Sequence, residues 1–294
     1  MNDLIILIPK READEKWASM DGIIRILRGR INTTILEYPS KNETYLKFEK
    51  ALSSFLKNKE SNVLCFCAGE NFSLDNVLSN LKMQHSFNLI YELGDEPQTR
   101  HFNQFRASFS DYLFTPDLQC FSYYIGKGKK VIWLNHYCDT NIFFYDETIP
   151  RDERLIVTTV GSKRRYALIL RLLFGGRFKN QRINPTQSSK YFSQGLIGYQ
   201  YARYSEITRR IFELGGCKTL VITNKIPEET GIYSLFTPGV DIDFYDGFFD
   251  LIRTILRAFI RKERTKQLAE NLHKKILNYH TETNRAEDLL RIFK

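Results

Sequence analysis

Hydrophobic positions along the chain switch repeatedly between an unbroken or two-residue rhythm and a three-to-four-residue rhythm. Residues 3–9 (Asp-Leu-Ile-Ile-Leu-Ile-Pro) carry a continuous apolar run after Asp3 that stops on proline, the pattern of a strand buried on both faces. Trp17, Met20, Ile23, Ile24 and Leu27 then recur at helical spacing and predict an amphipathic helix over about 14–28. A second strand is expected over 33–38, then a helix whose face carries Tyr45, Phe48, Leu52 and Phe55. Residues 62–69 form a third strand ending on glycine, 73–82 a helix, and 87–93 a fourth strand running into Gly94-Asp95-Glu96-Pro97. Two short strands, 111–115 and 130–134, flank residues 117–125. Strands alternating with helices in this way predict an α/β fold built on a parallel sheet.

The alternation then restarts. Residues 154–161 read as a buried strand ending on glycine and 162–174 as a helix, with 135–154, including Pro150, as the linker between two series. Further on, Ile211, Phe212 and Leu214 give a short helix an apolar stripe, with Ser205 and Thr208 available to cap it. The pair Gly215-Gly216 is expected to end that helix through left-handed backbone, and 218–223 follow as a strand. Residues 248–279 are helical, with Phe249, Ile252, Leu256 and Phe259 on one face. Arg253, Arg257, Arg261, Lys262, Arg264 and Lys266 crowd another, a surface suited to anionic lipid. Two Rossmann-like halves in tandem are the architecture this predicts. Ligands in such sheets lie beyond the carboxyl ends of the strands, which puts Asp95, Glu96, His136, Gly161 and the 223–229 loop near rims.

Composition narrows the class. A chain of 294 residues with 43% hydrophobic and 14% aromatic residues can bury real cores. Its net charge of +9 favours an anionic partner: a nucleic acid, an acidic membrane surface or a phosphorylated small molecule. Five cysteines without paired spacing are expected as buried free thiols, with Cys65 and Cys67 on opposite faces of their strand. No signal-peptide pattern precedes the first strand and no apolar run approaches the roughly 20 residues of a membrane span, so a cytoplasmic location is expected.

One stretch carries chemistry. Arg210-Ile211-Phe212-Glu213, a turn of small residues, a short strand, and downstream Phe236-Thr237-Pro238-Gly239 and Phe244-Tyr245-Asp246 together resemble the donor-binding half of GT-B glycosyltransferases, in the group-1 and spore-maturation-like branch. The resemblance is clear over about 155–290 and looser over 60–145. It implies an α/β fold of two Rossmann-like domains facing a central cleft. Residues 1–145, with a crossover helix at 282–294, would form the acceptor side, and 146–281 the nucleotide-sugar donor domain. In such enzymes the glutamate matched by Glu213 hydrogen-bonds the ribose hydroxyls of the donor. Gly161, Ser162 and Arg165 match the glycine, small residue and arginine that open the donor domain, where free helix amides favour phosphate. Arg210 belongs to the matched motif, and Thr223 and Asn224 end the strand flanking the diphosphate.

Glu206 and Glu213 invite comparison with the paired glutamates of retaining group-1 enzymes, where seven residues intervene; here six do. On a continuous helix one residue turns a side chain by ~100°, so the pair fits the usual presentation only if Glu206 precedes the helix. Gly94-Asp95-Glu96-Pro97 resembles the Asp-x-Pro turn of spore-maturation-like members, and Asp95 or Glu96 would suit a general base toward an acceptor hydroxyl, with His136 a further cleft candidate. His280-Thr281 and Arg285 match a closing segment expected to be structural. The glycine-rich turn usual after the first strand is missing at Pro9-Lys10-Arg11-Glu12.

The function so implied is that of a glycosyltransferase of class EC 2.4. It would move a sugar from a nucleotide diphosphate-sugar to a hydroxyl on a glycan, a lipid-linked saccharide or another surface glycoconjugate. The nucleotide-sugar is the co-substrate, no other cofactor is called for, and no metal either, since Asp243 and Asp246 share a strand with only aromatic company. A lipid-linked acceptor would place the protein peripherally on the inner face of a membrane. The rival is a non-catalytic GT-B-like module binding nucleic acid or a protein partner through its basic surface, with Lys190-Tyr191-Phe192 and 199–203 able to stack on bases. Nucleic acid is the less favoured partner of the two readings.

Overall fold

The structure, a computed structural model, describes residues 3–11, 18–39, 44–57, 61–67, 69–94, 99–159, 164–203 and 206–293. The chain divides into two compact units, one comprising Met1–Asn135 with Arg285–Lys294 and the other His136–Asn284. That division falls earlier than the 145/146 boundary read from sequence, and residues 136–146 explain why. Cys138 N–H donates to His280 O at 2.9 Å, Phe144 N–H to Ser189 Oγ at 3.1 Å and Asp146 N–H to Ser193 Oγ at 2.9 Å, so the supposed linker is hydrogen-bonded into the second unit.

The first unit is a six-stranded parallel sheet. Its strands are β1 (Leu4–Pro9), β2 (Thr33–Tyr38), β3 (Ser61–Cys65), β4 (Phe87–Glu92), β5 (Tyr112–Thr115) and β6 (Val131–Trp133), in the order β2-β1-β3-β4-β5-β6. Its helices are α1 (Asp21–Arg28), α2 (Leu46–Leu56), α3 (Phe72–Gln84), α4 (Arg100–Phe109) and α5 (Leu118–Gly126). Asn71 caps α3 by accepting from Leu74 N–H at 3.1 Å, and Asp117 caps α5 by accepting from Gln119 N–H at 2.7 Å, each satisfying an orphan amide of its first turn. Leu7, Val63, Leu89 and Leu113 of adjacent strands pack on Leu52, Leu78 and Leu81 of the helices. Phe55 lies outward instead, and Leu56 closes the α2 face. Cys65 and Cys67 share one core rather than opposite faces, because residues two apart in extended chain project to the same side. All five cysteines are buried and free.

The second unit has five parallel strands: β7 (Asp152–Thr159), β8 (Phe178–Gln181), β9 (Gly195–Tyr199), β10 (Leu220–Asn224) and β11 (Asp243–Tyr245), in the order β11-β10-β9-β7-β8. Its helices are α6 (Arg164–Phe174), α7 (Ser188–Ser193), α8 (Arg209–Gly216), α9 (Ile232–Leu235), α10 (Gly247–Ile260) and α11 (Lys262–Tyr279); α12 (Glu282–Leu290) starts here and runs on into the residues grouped with the first unit. The single helix expected over 248–279 is two, broken at Arg261, whose ψ of 62° leaves the helical region. The inward face of α10 is Leu251, Thr254, Ile255 and Ala258, so the stripe containing Phe249 and Leu256 points outward.

The end of α8 corrects the reading of its glycines. Gly215 and Gly216 are both helical, and the left-handed residue is Lys218 at φ 57°. The glycines are needed for space. A β-carbon on Gly215 would fall 2.8 Å from Ile276 Cγ1, and one on Gly216 would fall 2.7 Å from Phe143 O and onto Cys138 Sγ. The side-chain-free end of α8 lets α11 and the 138–143 segment close against it.

Candidate functional site

In a doubly wound sheet the ligand crevice lies beyond the carboxyl ends of the two strands where chain progression reverses. In the second unit these are β7 and β9, because β8 lies on one side of the pair and β10 and β11 on the other. The loops above them are 160–163, which lies outside the described residues, and 200–208. The described part of the second loop is tied to its neighbour by side chains. Gln200, buried, accepts from Thr223 Oγ1 at the end of β10 and donates through Nε2 to Thr208 Oγ1 just before α8. Asn224 accepts from Ala202 N–H at 2.7 Å. Thr223 and Asn224, named from sequence as donor-binding, thus brace the rim. Thr208 spends its hydroxyl on Gln200 and makes no cap bond to α8, and Ser205 lies outside the described residues.

Helix α8 begins with two arginines and no acidic residue in its first turn, which adds positive charge to the already positive end of the helix. Both converge on Glu213, one turn further along. Arg209 Nε stands 3.6 Å from Oε1, and Arg210 Nη1 2.6 Å from Oε2. Arg210 also lies over the Phe192 ring at 5.4 Å, which fixes where its guanidinium points. Glu213 is only 5% exposed, and its Oε2, although 2.6 Å from Arg210 Nη1, makes no aligned hydrogen bond among the described residues. A buried carboxylate oxygen held by charge but not fully hydrogen-bonded can still accept from a hydroxyl. Burial and the Glu213 charge push the nearby Cys217 thiol far above its ordinary range, which keeps it protonated and inert.

His136, half-buried, sets its ring edge-to-face on Phe212 at 6.3 Å, and Phe212 packs in turn on Phe236 and His280. Glu206 lies before α8 rather than on it, so the ~100° mismatch of a continuous helix does not apply to the pair. Arg165 is exposed on the first turn of α6. Asp95, Glu96, Gly161 and Ser162 lie outside the described residues. The carbonyl of Gly94, the last described residue before Asp95 and Glu96, accepts from Thr99 Oγ1 and, at 3.1 Å, from Asn103 Nδ2. Asp243 is not left among aromatics: Arg264 grips it with two bonds of 2.8 Å, and Arg257 stands at 3.7 Å. Asp246 pairs with Lys225 at 3.5 Å.

Sequence reasoning missed two residues. Gln200 has no motif, and only the end of β9 at Tyr199 marks it. Arg106 is the other. In the first unit chain progression reverses between β1 and β3. Arg106, fully buried, reaches the loop beyond β3, donating to Cys67 O at 2.8 Å and Gly69 O at 2.6 Å. Its Nε bonds Asp75 at 3.0 Å, and Tyr91 donates to the same carboxylate. Burial raises the Asp75 carboxyl against the pull of Arg106. A lone arginine on the inward face of α4, beside Asn103 and Ala107, was the available signal.

Residues 151–291 match a family model described as glycosyl transferase-like. By sequence the chain has no significant match among curated proteins. Among solved structures it is similar to a sucrose-phosphate synthase from Thermosynechococcus elongatus, with a TM-score of 0.74 at 12% identity, covering 100% of this chain and 98% of that one. It is also similar to Anabaena HepE in complex with UDP and glucose (TM-score 0.69, 11% identity, 100% and 99% covered). A third is T4 phage BGT in complex with its UDP-glucose substrate (TM-score 0.57, 11% identity, 99% and 98% covered). At these identities the likeness carries the fold, and the two parallel Rossmann-like sheets are those of GT-B glycosyltransferase structures.

Proposed function

We propose that the chain is a glycosyltransferase that moves a sugar from a nucleotide diphosphate-sugar to a hydroxyl acceptor, with the donor held by the second unit. The observation that carries this is the glycosyl transferase-like match over 151–291, which takes in Glu213 and the whole five-stranded sheet. In this reading Oε2 of Glu213 accepts from a ribose hydroxyl, while Arg209 and Arg210 hold the carboxylate in place. Gln200, Thr223 and Asn224 hold the rim rigid, and Gly161, Ser162 and Arg165, matched by the resemblance, meet the diphosphate. Fixed cations and helix amides aimed at the departing diphosphate would supply the main electrostatic stabilisation, without a metal. The acceptor's proton goes to Asp95, Glu96 or His136. Placement in the group-1 and spore-maturation-like branch rests on the resemblance of Arg210-Ile211-Phe212-Glu213, Phe236-Thr237-Pro238-Gly239, Phe244-Tyr245-Asp246 and Gly94-Asp95-Glu96-Pro97. Because two similar structures contain UDP or UDP-glucose, uridine nucleotides are the first donors to try.

Thermal-shift titration with UDP-, GDP- and CDP-sugars, set against a mixed oligonucleotide at two salt concentrations, tests the reading. One nucleotide class raising the melting temperature, with chelator present and absent, supports it. Salt-sensitive oligonucleotide binding with no nucleotide response would instead support the non-catalytic module.

A further inference from the structure

Helices α6 and α10 pack side by side on the second unit, Tyr166 against Phe248 at 5.1 Å and Phe174 against Phe259 at 5.6 Å. Each has two apolar faces. Ala167 and Leu170 of α6, and Leu251, Ile255 and Ala258 of α10, belong to the core. On the opposite side Leu168, Ile169, Leu172 and Leu173 run along α6 at helical spacing, and Phe249, Leu256 and Ile260 along α10. These are not incidental exposures: Phe249 is 89% accessible, Ile260 80% and Leu172 76%. Between the two stripes lies a groove of about 790 Å³, lined by Ile169, Leu173 and Ile252 and by Arg253, Arg257 and Arg261. An exposed apolar patch of this size rimmed by charge marks an interaction surface.

The charges around this face say what covers it. Arg171 is exposed on α6, which has no acidic residue, and Arg253 and Arg261 are exposed on and just after α10. The single carboxylate of the two helices, Asp250, is already bonded by Arg253 at 2.8 Å. The rim is therefore cationic around an apolar crest. A second copy docking face to face would set arginines against arginines. A surface with anions at its boundary and hydrocarbon beneath complements both features, since arginines extend to the headgroups while leucine and phenylalanine enter the acyl boundary. With 11 and 14 residues, the helices are too short to span and would lie in the interface plane. We propose that the α6–α10 face docks the protein on an anionic lipid surface. Of the basic stripe expected over 253–266, Arg253, Arg257 and Arg261 belong to this surface, whereas Lys262 and Lys266 are paired with Glu153 and Arg264 with Asp243.

Co-sedimentation of the full chain with vesicles tests this. Phosphatidylcholine vesicles containing roughly one-third phosphatidylglycerol should bind the protein at least about tenfold more strongly than pure phosphatidylcholine, and rising salt should weaken the binding. Leu172→Asp combined with Phe249→Asp should lower binding about tenfold or more, and Arg253→Gln with Arg261→Gln should remove most of the preference for the anionic vesicles. Both variants alter exposed side chains, so melting temperature and nucleotide response should stay at wild-type values, which separates this test from that of the donor site. Equal binding to both vesicle types, no binding, or unchanged binding by the variants would overturn the proposal. So would a wild-type dimer in sedimentation velocity that Phe249→Asp dissolves.

Discussion

The two units each bury a carboxylate beside arginine, and they do so differently. In the first, Asp75 is satisfied on every side: Arg106 bonds it, Tyr91 donates to it, and the same guanidinium holds two carbonyls of the loop after β3. In the second, Glu213 has charge compensation from Arg209 and Arg210, yet one buried oxygen makes no aligned hydrogen bond among the described residues. A closed network spends its whole hydrogen-bonding capacity on the fold, whereas an open one keeps some for a ligand. The comparison separates a positioning device from a binding one inside two similar sheets.

If that distinction holds, substitutions in the two networks should fail in different ways. The largest effect is expected on turnover: Glu213→Ala should lower kcat/KM for the nucleotide-sugar by ~100-fold or more, with melting temperature changed by only a few degrees. Steady-state kinetics beside a melting curve check this. Asp75→Ala should instead unfold the protein more readily, by about 3–5 kcal/mol in urea titration, because the Arg106 charge is left buried and unpaired. Next in size is Gly216→Ala, where the new methyl group presses on Phe143 O and Cys138 Sγ; about 1–3 kcal/mol of stability should be lost in the same titration.

The smallest effect is a pH dependence. Burial holds the His273 imidazole below its ordinary value of 6.5, while its Nδ1 pairs with Gly215 O at 3.0 Å. The folded state therefore takes up the proton less readily than the unfolded chain. Stability linked to His273 is complete above about 6.5 and is lost as pH falls from there through the lower folded value. Melting temperatures across pH 5.5 to 7.5 should fall on the acid side, and His273→Gln should flatten that slope.

Much of the fold was legible because strand periodicity is strong where sheets are buried on both faces. β1, β3 and β7 are such runs, and the restart of the alternation marked a second unit. Glycine was less legible. Gly215-Gly216 looked like a helix stop, but only the packed structure shows α11 and Cys138 arriving where side chains would be, while Lys218 takes the left-handed angle. The outward stripe of α10 had the same spacing as a core face, and periodicity cannot say which of two apolar faces turns inward. At the site, Glu213 and Arg210 were visible through a motif. Gln200 and Arg106 were not, since their roles depend on chain segments that meet only after folding.

The sharpest test sets the ligand against the side chain. Isothermal titration of UDP and 2′-deoxy-UDP into the wild type and Glu213→Gln forms a cycle around one hydrogen bond. The wild type should bind UDP about tenfold more tightly than the deoxy form, and the variant should bind the two alike, with UDP weakened to the same extent. Equal affinity of the wild type for both nucleotides, or undiminished discrimination by the variant, would contradict the assignment of Glu213 to the donor.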